Sequence, residues 1–101
     1  MRQITQATKS EIQELLTQHP LWNQKEEAGV PFLTFDYQFR TFQEAFLFLT
    51  KLAFVSESLD HHAEIWNVYN KVRLKLYTHN TKSISSLDLE FVKRLMERTG
   101  L

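Results

Sequence analysis

Leu33-Thr34-Phe35-Asp36-Tyr37-Gln38-Phe39-Arg40-Thr41-Phe42-Gln43-Glu44 changes its period midway. Leu33, Phe35, Tyr37 and Phe39 alternate with Thr34, Asp36, Gln38 and Arg40, the period of two that marks a half-buried strand. Thr41-x-x-Glu44 then has the form of a capping box, which opens a helix. A strand that runs straight into a long helix sets the middle of the fold.

On the N-terminal side, Thr8-Lys9-Ser10-Glu11 is another capping box, followed at helical spacing by Ile12, Leu15 and Leu16. That helix is expected to stop near His19-Pro20, because the residue before a proline is pushed out of the helical region. Residues 21–27 read as a short strand, with a turn at Gly29-Val30-Pro31. On the C-terminal side, Phe42, Ala45, Phe46, Leu49, Leu52 and Ala53 form the predicted core stripe of the long helix. Leu47 with Phe54, and Phe48 with Val55, lie on other faces, so the helix is apolar over more than a one-sided arc. Burial under a loop and contact between subunits both account for this.

Residues 66–69 read as a strand and Asn70-Lys71 as a tight turn. Val72, Leu74 and Leu76 then alternate with Arg73, Lys75 and Tyr77 in a longer strand. Ser85-Ser86-Leu87-Asp88 gives a third cap, and Leu89, Val92, Leu95 and Met96 carry the last helix. The expected fold class is α+β: a single two-layer domain over residues 1–101, with three helices and a four-stranded antiparallel sheet in the order α-β-β-α-β-β-α.

Composition agrees with a single domain. The chain has 101 residues, 43% of them hydrophobic, including eight Phe, two Trp and three Tyr, so one core can be filled without disulfides. The lack of cysteine excludes Cys-based zinc sites and thiol nucleophiles. Twelve basic and twelve acidic residues cancel, leaving no single-sign field to draw in nucleic acid or an anionic membrane. No stretch approaches the roughly 20 apolar residues of a membrane span. Met1-Arg2-Gln3-Ile4-Thr5-Gln6 lacks the apolar run of a signal peptide, so a soluble, cytoplasmic protein is expected.

The chemistry is concentrated at Asp60-His61-His62, with Glu57 just before it and His79 beyond it. Histidine exchanges protons near neutral pH because its unperturbed pKa is about 6.5. If the helix reaches that far, Glu57 and His61 share a face, and the carboxylate fixes the imidazole tautomer. His62 then points elsewhere. His79 is placed at the end of the last strand, facing the loop that carries the histidine pair. Surface histidines, helix caps and adventitious metal ligands also produce clusters of this kind.

Glu57-x-x-x-His61-His62 followed by Tyr69, His79 and Asp88 resembles the signature of the pterin-4a-carbinolamine dehydratase family. The run Leu59-Asp60-His61-His62-Ala63-Glu64-Ile65-Trp66-Asn67-Val68-Tyr69-Asn70-Lys71-Val72 is similar to the family's central segment. Phe39-Arg40-Thr41-Phe42-Gln43-Glu44-Ala45-Phe46 is similar to its strand-to-helix junction. The likeness extends from about Trp22 to the last helix. Two positions depart from the family pattern: Ala63 stands where proline is usual, and Ile65-Trp66 where Trp-Phe is usual.

The resemblance implies dehydration of a 4a-hydroxytetrahydropterin to quinonoid dihydropterin, without cofactor or metal, in recycling the pterin of aromatic amino acid hydroxylases. It implies His61 and His79 as the acid–base pair, with Glu57 orienting His61. His62 would be chiefly a substrate contact, and Trp22, Tyr69 and Asp88 would be allowed as further contacts. From the residues alone, Trp22 reads as core, Tyr69 as a sheet aromatic and Asp88 as the carboxylate of the Ser85 cap. The resemblance also implies a homodimer or homotetramer, and it leaves a second function open, a non-catalytic binding or dimerisation module of the same fold. A metal site built from Glu57, His61 and His79 is a third reading.

Overall fold

The computed structural model describes residues 3–101. Helix α1 spans Lys9–Gln18, strands β1 and β2 span Trp22–Glu27 and Val30–Gln38, and helix α2 spans Phe42–Leu59. Strands β3 and β4 follow at Glu64–Val68 and Lys71–Leu76, and helix α3 at Ser86–Thr99. The order is the expected one. All strand pairs are antiparallel, and the sheet runs β1-β2-β4-β3. After β2 the chain crosses through α2, returns at the far edge as β3, and inserts β4 beside β2.

The helices begin where local chemistry supplies missing backbone partners. Thr8 Oγ1 accepts the Glu11 N–H at 3.1 Å while the Glu11 carboxylate accepts the Thr8 N–H at 2.9 Å, a complete capping box. Bonding to the Glu11 carboxyl, from the Thr8 backbone N–H foremost and the Thr8 hydroxyl next, holds its pKa below the ordinary value. At α2 only half of the box forms. Thr41 Oγ1 accepts the Glu44 N–H, but the Glu44 side chain turns to Arg40 at 3.2 Å. Both halves form at α3, between Ser85 and Asp88.

Two turns fall one residue earlier than the sequence suggests. Ala28 and Gly29, at φ 53° and 81°, make the β1–β2 turn, and Val30 and Pro31 belong to β2. Two consecutive positive φ values match the right-handed twist of the flanking strands. Pro31 is tolerated because the β2–β4 register begins only at Leu33. The β3–β4 turn is Tyr69-Asn70 rather than Asn70-Lys71. Asn67 Nδ2 closes it by donating to the carbonyls of Tyr69 and Lys71, and Asn70 Nδ2 ties it to the Phe39 carbonyl at 2.7 Å.

Leu33, Phe35, Val72, Leu74 and Leu76 turn from the sheet into the core, where α2 and α3 meet them with Phe48, Leu52, Val55, Phe91, Val92 and Leu95. The core face of α2 is rotated from the predicted stripe. Phe48 and Val55 are buried, whereas Phe42, Phe46 and Ala53 are exposed. The cause is aromatic packing: the Phe48 ring stacks on Phe35 at 5.2 Å and meets Phe39 at 5.1 Å. Among the described residues, no helix is long and apolar enough to cross a membrane.

Ala28 occupies a left-handed conformation that costs an L-residue roughly 1–2 kcal/mol, and asparagine adopts it more readily. Ala28→Asn is therefore expected to raise stability by about 1 kcal/mol, measured as a higher urea midpoint at constant slope. An unchanged or lower midpoint would contradict the turn geometry.

Candidate active site

Asp60 ends α2 in the left-handed region, at φ 50° and ψ 47°. One such residue turns the chain off the helical path, so the expected contact between Glu57 and His61 is not made. The Glu57 carboxylate instead accepts from His62 Nε2 at 2.8 Å, on the surface. The His61 N–H still donates to the Ser56 carbonyl at 3.0 Å, and its ring is directed inward, edge-on to Phe91 at 6.1 Å.

There His61 meets Asp88. Nε2 lies 2.5 Å from Asp88 Oδ1, and the carboxylate has no solvent exposure. Oδ2 of the same group accepts the Ser85 N–H and the Thr78 hydroxyl, both at 2.8 Å. The cap predicted for Asp88 is thus present, and the residue also orients a histidine. A carboxylate with both oxygens accepting makes His61 Nε2 the donor. Nδ1 is left as the nitrogen available to a reactant. The orienting role assigned to Glu57 by spacing belongs to Asp88.

Strand β4 completes the site. Thr78, two residues past its end, is buried and pairs with Ser83 through two backbone bonds, at 2.9 and 3.4 Å, closing a loop over residues 79–82. His79 follows on the opposite side and is exposed. His61, His62 and His79 line one cavity of about 430 Å³ with Ile4, Asp60, Thr78, Asn80 and Leu87. That volume lies within the roughly 300–1,000 Å³ of small-molecule sites. A second hollow, about 370 Å³ and lined by Tyr37, Phe39, Arg40 and Lys51 among others, contains no histidine. The histidine cluster is found at the first.

Other predicted contacts fall outside this cavity. Trp22 is buried against Phe35 at 5.3 Å, as its core reading expects. Tyr69 is exposed at the tip of the β3–β4 turn, a strand's length from the histidine pair. His19 caps α1. Among the described residues no three His, Asp or Glu side chains converge as metal ligands do, and of the set Glu57, His61 and His79, Glu57 is bonded to His62 and His61 to Asp88. Thr78, Asn80, Leu87 and Ile4 were not legible as site residues. Only the alternation that buries Thr78 and exposes His79 hinted at the first.

A family model described as Pterin 4 alpha carbinolamine dehydratase matches residues 5–98. The chain belongs to this family. A Prochlorococcus marinus protein named "Putative pterin-4-alpha-carbinolamine dehydratase" is 40% identical over 88 residues, which is 87% of this chain and 88% of that protein. The crystal structure of a transcriptional coactivator/pterin dehydratase from Brucella melitensis superposes with a TM-score of 0.80 at 32% identity, covering 94% of this chain and 99% of the other. A pterin dehydratase-like protein described as a RuBisCO assembly factor in the alpha-carboxysome gives a TM-score of 0.66 at 21% identity, covering 78% and 89%. That last likeness is one of fold. Carbinolamine dehydratase family membership thus agrees with the strand and helix order found here.

Asp88→Asn is the sharpest probe of the buried pair. If the amide oxygen keeps the Ser85 and Thr78 bonds, its NH₂ faces His61 Nε2, which then has to accept. The neutral imidazole should switch to the Nδ1–H tautomer, seen in ring ¹⁵N shifts. Stability should fall by roughly 1.5–3 kcal/mol with the loss of charge-assisted bonding. An unchanged tautomer would rule out the Asp88 contact.

Proposed function

We propose that this chain dehydrates a 4a-hydroxytetrahydropterin to quinonoid dihydropterin and water. The observation that carries the reading is the convergence of three imidazoles on one small cavity, each in a different environment. In the reaction the C4a–O bond breaks and its electron pair leaves with oxygen, which a protonated group converts to water. N5 gives its proton to a base, and the N–H electron pair becomes the second bond of C4a=N5. Atoms and charge balance without an electron acceptor, so the reaction calls for no redox cofactor, and the proposed route uses proton transfers alone.

His61 and His79 are the proposed acid–base pair. His61 presents Nδ1 because Asp88 holds Nε2. His62, tethered by Glu57, is the proposed contact to the substrate's polar edge. Two proton transfers to and from a single flat ring explain why more than one imidazole is kept. General acid–base groups contribute roughly 10²–10⁴-fold each. The proposed setting is cytoplasmic recycling of the pterin used by aromatic amino acid hydroxylases.

The test is 4a-hydroxytetrahydropterin turnover by the purified protein. His61→Ala and His79→Ala should each slow it by at least about tenfold, and the double variant by less than the product of the two, since the groups act as a unit. Full activity in both single variants would remove the assignment. An inactive unmodified chain would favour a binding role. The coactivator in the name of the Brucella melitensis relative gives that second reading its support.

A homo-oligomer is part of the proposal. Leu47 and Phe54 are 56% and 62% exposed on α2, beside exposed Phe42 and Phe46. An apolar band on a small domain marks a contact surface, and closed symmetry is the usual way to bury one. Leu47→Glu should lower the mass found by light scattering at micromolar concentration without loss of helical signal. A monomeric unmodified chain would dismiss the interface.

A further inference from the structure

Two of the three histidines at the cavity are held by carboxylates: His61 by Asp88 and His62 by Glu57. His79 is not. Its ring nitrogens bond to no side chain or backbone group among the described residues, and its backbone lies in the exposed loop between Thr78 and Ser83. What touches its ring is Tyr77, stacked on it with centroids 4.3 Å apart and planes inclined by 21°.

The stack follows from strand geometry. Alternate residues of β4 face one side of the sheet, so Lys75, Tyr77 and His79 form a row that continues beyond the strand. The row is anchored at its far end. The Lys75 ammonium lies 3.6 Å from the Glu27 carboxylate, 4.5 Å from the centre of the Phe32 ring and 5.8 Å from that of Tyr77. Tyr77 is half-buried and does not line the cavity; it lies behind His79.

We propose that Tyr77 is a positioning residue that sets the plane of the His79 imidazole by stacking on its face. The inference rests on the reading of His79 as one of the acid–base pair. An exposed imidazole with no partner samples several staggered side-chain states. An offset aromatic pair favours one of them by up to about tenfold. Stacking also does something that a carboxylate cannot. It occupies the ring face and leaves both nitrogens free, whereas His61 and His62 each have Nε2 engaged. His79 is therefore the imidazole of the three that can take a proton at one nitrogen and release one from the other.

The experiment compares Tyr77→Phe and Tyr77→Leu with the unmodified chain, each also in a His79→Ala background. Nuclear Overhauser contacts between the Tyr77 and His79 rings are expected in the unmodified protein, with His79 ring protons shifted upfield. Tyr77→Phe should keep the shift and the turnover. Tyr77→Leu should lose the shift and lower kcat severalfold, by no more than about tenfold, with little change in KM and by less than the loss of the acid–base group itself. In the His79→Ala background Tyr77→Leu should have no further effect. Absence of ring contacts in the unmodified chain would overturn the proposal, whatever the folding of the variants. So would an equal loss with and without His79, which would mean that Tyr77 serves the fold alone. An unmodified chain that fails to dehydrate the pterin would sink the functional reading, and the ring contacts would then decide the stack by themselves.

Discussion

The Asp88 carboxylate is closed to solvent, and its partners come from three separate segments. The Ser85 N–H belongs to the start of α3, the Thr78 hydroxyl to the tail of β4, and the His61 ring to the loop after α2. A buried carboxylate without partners would be costly, so these segments are held together by the requirement to satisfy it. The helix cap and the orientation of His61 are one interaction. Stability of α3 and readiness of the site are therefore coupled, and disturbing either disturbs the other.

Around that fixed point the three imidazoles differ in kind. His61 is buried with one nitrogen committed, His62 is exposed beside a surface carboxylate, and His79 is exposed and packed only by its face. One small cavity thus gathers three imidazoles in three surroundings, one bonded in the interior, one tethered at the surface and one stacked on an aromatic ring.

The outer surface of α2 follows another logic. Phe35, Phe39 and Phe48 set the helix's rotation from inside, which leaves Phe46, Leu47 and Phe54 facing outward. Burial of one aromatic cluster thus creates a second apolar face. The rotation that completes the core also produces the candidate assembly surface.

Element order was legible in the sequence because its signals are local. A capping box joins residues three apart, and strand alternation repeats every second residue, so Thr8, Thr41, Ser85 and the run from Leu33 to Phe39 declared themselves. The segment around His61-His62 likewise pointed to the family. Tertiary structure decided the rest. Spacing paired Glu57 with His61, but Asp60, in a left-handed conformation, broke the helical repeat and gave Glu57 to His62. The partner of His61 lies 27 residues away, at a position whose local pattern explained only a cap. Period placed Phe42, Phe46 and Ala53 in the core stripe of α2, and contact of Phe48 with Phe35 from another element rotated the helix away from it. Local backbone preference acts over a few residues, whereas side-chain pairing across the core depends on where distant segments come to rest.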